Sequence, residues 1–83
     1  MGVAIRYFAA AKAALGTGGE ERTGGVTIAE ALAEAAVAAP SPEVAAAVLA
    51  RCSFLHNRVA TTDRAITLAD GDTLDVLPPF AGG

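Results

Sequence analysis

Apolar and polar positions alternate from Val3 to Phe8: Val3, Ile5 and Tyr7 share one face of an extended chain, and Ala4, Arg6 and Phe8 the other. The pattern predicts a first strand with Val3, Ile5 and Tyr7 toward the core. Phe8 is then apolar on the outer face, or turns the chain into the next element. Ala9 to Leu15 is rich in the best helix former and meets Gly16, a good helix-ending residue. Gly16-Thr17-Gly18-Gly19 lacks the spacing of a phosphate-binding fingerprint and reads as a turn. Glu20 to Thr23 reads as a short polar strand before Gly24-Gly25. Thr27 with Glu30 three residues on is a capping box, opening a helix to about Ala39 before Pro40. Ile28, Leu32 and Ala35 or Ala36 form its apolar stripe, with Glu30 and Glu34 on the wet side. Ser41 and Pro42 restart a helix as N-cap and first helical residue, carrying Val44, Val48 and Leu49 to about Arg51. Cys52 to Ala60 reads as a strand, a turn at Asn57-Arg58 and a short return strand. Ile66 and Leu68 precede a turn at Asp70-Gly71, and a last strand runs from Leu74 to Leu77. There Leu74 and Val76 point one way, Asp75 and Leu77 the other. Strands enclosing a central helical stretch fit an α+β plan of a sheet with helices on one face.

The chain's 83 residues set one domain as the default. Leu, Ile, Val and Phe fill 20 positions, above the range expected of disorder, so a small compact core is possible. A net charge of −3 without a basic run argues against nucleic-acid binding. No apolar stretch reaches membrane-spanning length. Arg6 and Lys12 interrupt any signal-peptide core, and the start lacks the hydroxyl residue of a myristoylation signal. The cytoplasm is therefore the expected location. One cysteine forms neither an internal disulfide nor a metal site.

The last stretch stands apart. Pro78-Pro79 ends the strand, because proline lacks a backbone N–H and fixes φ. The sequence then closes on Phe80-Ala81-Gly82-Gly83. The expected division is a folded body over residues 1–77 and a flexible tail over 78–83. Six extended residues reach at most roughly 20 Å, enough to carry an α-carboxylate into a narrow site on another protein. A diglycine by itself is also what a frayed end looks like; the string from Asp70-Gly71-Asp72 through Pro-Pro to the diglycine is far more specific.

Conventional catalytic groups are scarce. His56, the only histidine, has no recognisable nucleophile partner and reads as a solvated or satisfied strand residue. Cys52, flanked by Arg51, reads as a small buried hydrophobe rather than a reactive thiol. Asp70 and Asp72 flank a glycine as turn residues do, and Glu20-Glu21 reads as a solvated edge. No acid–base pair, triad or metal cluster emerges. Any reactive atom is then expected at the terminus itself.

Ile5-Arg6-Tyr7-Phe8-Ala9-Ala10-Ala11-Lys12, the capping box, the Asp70-Gly71-Asp72 turn and the closing Pro78-Pro79-Phe80-Ala81-Gly82-Gly83 resemble the small subunit of molybdopterin synthase, of the MoaD/ThiS group of ubiquitin-like sulfur carriers. The tail is the specific part; the alanine-rich middle is weak. The resemblance implies a β-grasp fold: a mixed sheet with a helix packed on one face, the first and last strands parallel neighbours, and a protruding C-terminal tail. It also implies a chemistry. A ubiquitin-activating-type adenylyltransferase spends ATP to adenylate Gly83, a sulfur donor converts it to a thiocarboxylate, and the tail with Phe80, Ala81 and Gly82 enters the synthase large subunit. Sulfur then passes to a pyranopterin precursor for molybdenum cofactor biosynthesis. The carrier itself binds no cofactor or metal and is a sulfur-donating subunit rather than an enzyme on its own. The family's docking residues map to Phe8, Lys12, Val59 and Leu77. Thiamine- and cysteine-pathway sulfur carriers and ubiquitin-like protein modifiers share the diglycine and the activation step. Lys12 is the only lysine, which disfavours branched chains of a modifier. A passive interaction domain would tolerate loss of the diglycine.

Overall fold

A computed structural model describes residues 2–79. The calls on Phe80, Ala81, Gly82 and Gly83 lie outside the described residues. The elements are β1 (Val3–Tyr7), α1 (Ala10–Leu15), β2 (Gly19–Arg22), β3 (Val26–Thr27), α2 (Ile28–Ala38), α3 (Pro42–Leu49), β4 (Ser53–His56), β5 (Val59–Thr61), β6 (Thr67–Leu68) and β7 (Thr73–Leu77).

The main sheet has the order β2-β1-β7-β4-β5. Its centre is the first strand beside the last, parallel, with Ile5 opposite Leu74 and Tyr7 opposite Val76. The alternation sets this register: Val3, Ile5, Tyr7, Leu74 and Val76 are buried, and a one-residue slip would turn that set outward. β4 adds Phe54 opposite Val76. The helices cover this face with Ile28, Leu32, Ala35, Ala36, Ala45 and Leu49, all buried. The result is the β-grasp arrangement of a mixed sheet with helices on one face.

Local sequence explains the element ends. Glu30 N–H donates to Thr27 Oγ1 at 3.1 Å, and Thr27 N–H to Glu30 Oε1 at 2.8 Å, so the capping box forms. Such a cap contributes about 1 kcal/mol. Gly16 takes φ 74° to close α1, where a side chain would be strained. Asn57 and Arg58 take φ 49° and 70°, the pair of left-handed residues that a two-residue hairpin loop needs between β4 and β5.

Several expectations shift. Ser41 makes no side-chain cap, and α3 ends at Leu49 rather than near Arg51. Val44 is exposed and Val48 half-buried, while Ala45 and Leu49 carry the buried face. α3 packs between α1 and α2, and close approach on both sides suits the smaller alanine. β3 and β6 form a separate two-residue ladder, Val26 opposite Leu68, too short to show a period in the sequence. Glu20 is not a merely solvated edge residue: it is half-buried and accepts the Tyr7 hydroxyl at 2.6 Å and an Arg22 ion pair at 3.0 Å. Burial, then that carboxylate, pushes the Tyr7 phenol well above its ordinary range.

Candidate functional site

Two strand ends meet where the described chain stops. β1 and β7 run parallel and finish together, and the Phe8 amide donates to the Val76 carbonyl at 3.2 Å. Continuing the register puts Phe8 beside Leu77. Both are on the face opposite the helices, Phe8 38% exposed and Leu77 half-buried. Pro78 is half-buried and Pro79 exposed, so the chain leaves the sheet beside this pair. Ala9, just after Phe8, has φ 51°, an uncommon value for a residue with a Cβ, and turns the chain from β1 into α1.

Of the expected docking residues, the fold brings three to this end. Lys12 is exposed on α1, and its amide reaches the Phe8 carbonyl at 3.4 Å. Val59 does not join them. It is 67% exposed, but its cross-strand partner is His56, in the same row as Leu74, so it faces the helix side of the sheet. The residue of β5 on the outer face is Ala60, opposite Leu55.

An ion pair that the sequence reading passed over lies in the next row. Arg6 Nε donates to Asp75 Oδ1 at 2.9 Å and Nη2 to Oδ2 at 3.0 Å, across directly paired positions of β1 and β7. The Arg6 guanidinium also sits 5.5 Å from the centre of the Phe8 ring. The signal was present: opposite charges at outward positions of two strands that the fold makes parallel neighbours.

The other polar residues do structural work. Asp72 Oδ2 accepts from Ala69 N–H at 3.0 Å and lies 2.9 Å from His56 Nε2, while Asn57 Nδ2 donates to Oδ1 at 3.0 Å. Thr73 N–H donates to Asn57 Oδ1, which ties the β4–β5 hairpin tip to the start of β7. Those donors, the backbone one foremost, hold the Asp72 carboxyl down to about 2. Its native interactions are complete above the ordinary carboxylate range and are lost as pH falls toward 2, where the folded-state group takes up its proton. Asp72→Asn should therefore flatten the loss of stability between about pH 4 and 2 in acid melts, and an unchanged acid profile would remove this assignment. The cluster sits at the His56 end of β4, away from the strand end that leads to Pro78. Cys52 is buried, its Sγ donates to the Val48 carbonyl at 3.3 Å, and burial pushes its thiol up against the opposing charge of Arg64. That suits packing rather than a nucleophile. Among the described residues no group of three His, Cys, Asp or Glu side chains could hold a metal, and no helix is long and apolar enough to cross a membrane.

A family model described as the ThiS family matches residues 5–83, nearly the whole chain and through the final glycine. The chain belongs to the ThiS family. It is thus a member of the ubiquitin-like sulfur carriers, and the MoaD/ThiS resemblance holds at that level. Solved structures show the same fold. A Haloferax volcanii protein, HVO 2177, has a TM-score of 0.77 at 24% identity over 100% of this chain and 87% of that one. SAMP1 from Haloferax volcanii gives 0.73 at 24%, covering all of both chains. A chain from the complex of subunits 1 and 2 of the molybdopterin-converting factor of Helicobacter pylori gives 0.66 at 23%, again over both chains in full. No curated protein matches the sequence.

Proposed function

We propose that this ThiS-family carrier is the small subunit of molybdopterin synthase, and that its Gly83 carboxylate carries the sulfur. The observation that carries the reading is the family match through Gly83, joined to a strand end where Phe8 and Leu77 flank the departing chain. The solved complex of the two converting-factor subunits, whose chain is similar to this one, supports a large-subunit partner. The Pro-Pro-Phe-Ala-Gly-Gly ending favours this branch over thiamine- or cysteine-pathway carriers and over a protein modifier.

The steps balance simply. In the adenylyltransferase, a carboxylate oxygen of Gly83 attacks the α-phosphorus of ATP; pyrophosphate leaves and an acyl-adenylate forms. A persulfide sulfur on the donor protein attacks that acyl carbon and AMP leaves. Reduction of the resulting acyl disulfide by a thiol frees the Gly83 thiocarboxylate. ATP is thus a substrate of the partner, with no cofactor resident in the carrier. The tail from Phe80 through Ala81 and Gly82 then enters the large subunit, and the sulfur adds to a pyranopterin precursor. Glycine suits both visits, since a side chain at 82 or 83 would crowd a narrow channel.

Phe8, Leu77 and Lys12 hold the body against the large subunit, with Val59 outside the contact. Phe8→Ala and Leu77→Asp should each weaken binding by about tenfold or more in calorimetric titrations, with urea melts nearly unchanged. Binding at parental strength would remove the patch. Loaded carrier mixed with the large subunit and precursor should yield dithiolene; sulfur that reaches a thiazole-forming enzyme instead would move the protein to the thiamine branch.

A further inference from the structure

The outer sheet face around Phe8 and Leu77 is mostly apolar or small: Ala4, Leu55, Ala60 and Ser53 occupy its other positions near the pair. One strong charge is planted in it. Asp75 lies low, its side chain 14% exposed, with both oxygens taken by Arg6. Arg6 stands over it, 64% exposed. The contact uses Nε and one Nη2 hydrogen, which leaves the Nη1 edge and the second Nη2 hydrogen without a partner among the described residues. The neighbour of Arg6 on β2 is Gly19, so no side chain screens that flank. Glu21, beside Ala4, is the nearest other charge on this face by register. The guanidinium is thus held in one orientation by Asp75 and by the Phe8 ring, with donors aimed outward.

We infer that Arg6 is a specificity-determining residue of the docking surface, and that it selects a partner whose apolar contact face carries a carboxylate opposite the free guanidinium edge. The inference rests on the docking reading above and adds to it the chemistry of the partner's face. An apolar anchor gives little discrimination among apolar partners, whereas an arginine fork desolvated without an acceptor opposes the wrong partner. Asp75 positions the fork and lowers the cost of covering it, since the pair enters the interface already neutralised. Arginine's planar donors suit this role better than a lysine ammonium would.

The test is calorimetric titration of the full-length carrier with the synthase large subunit at several salt concentrations, with melts of each variant. Arg6→Gln should weaken binding about tenfold and flatten its salt dependence. Arg6→Lys should keep the salt dependence and lose part of the affinity. Asp75→Asn keeps an acceptor for Arg6 Nε while removing the counter-charge, so it should bind at least as tightly as the parent, with a steeper salt dependence. A purely structural ion pair makes the Arg6→Gln and Asp75→Asn effects equal, and that result would overturn the inference. So would parental affinity and salt slope in Arg6→Gln when Phe8→Ala still abolishes binding. If Phe8→Ala itself binds normally, the docking surface is wrong and the inference falls with it.

Discussion

Carrier lacking Gly83, or extended by one residue beyond it, accepts no sulfur from its adenylyltransferase and persulfide donor, yet melts with the parent. The two halves of this result come from different parts of the chain. β7 ends at Leu77 and Pro79 is already exposed, so a change four residues further on leaves the described core contacts intact. Stability should move within the roughly 0.5 kcal/mol of uninvolved surface changes. Activation, in contrast, needs the carboxylate at one place relative to the α-phosphorus, and small misplacement of reacting atoms is costly. Lost loading with an unchanged urea midpoint is expected. Continued cofactor synthesis by the truncated form would sink the terminal mechanism.

Leu74→Ala should cost roughly 2–5 kcal/mol in the same melts, a large share of what a domain this size has. Leu74 is fully buried in β7, between Ile5 of β1 and His56 of β4. Truncation leaves a cavity at the sheet's centre that two hydrogen-bonded neighbours cannot easily close. Asp75→Ala, one residue on and facing the other way, removes a surface ion pair with an exposed arginine and should cost at most about 1 kcal/mol. Equal small losses at the two positions would mean that the facing of β7 is wrong. Together these variants separate the parts of β7: one face holds the fold, the other is offered to a partner.

The strands that organise the molecule were legible because each keeps one face wet. The alternation of Val3, Ile5 and Tyr7 and of Leu74 and Val76 was enough to set both facings, and the Thr27–Glu30 box fixed the start of α2. α3 was less legible. In an alanine-rich helix wedged between two others, size rather than hydrophobicity decides which residue is buried, so Ala45 displaced Val44. Val59 escaped for a related reason: three residues on an edge strand carry no period, and its facing follows only from its pairing with His56. The Arg6–Asp75 pair, 69 residues apart in sequence, appears only once β1 and β7 are laid side by side. That the function sits at the terminus was readable from the closing string, since the body offers no competing arrangement of acids, bases or thiols among its described residues.

The most direct measurement is the mass of the intact protein after incubation with its adenylyltransferase, ATP and a persulfide donor, followed by tandem fragmentation. The account predicts that the protein gains the difference between sulfur and oxygen, that the gain lies on Gly83, and that it disappears without ATP. A gain mapping to Cys52, or loading that persists when Gly83 is deleted, would contradict it.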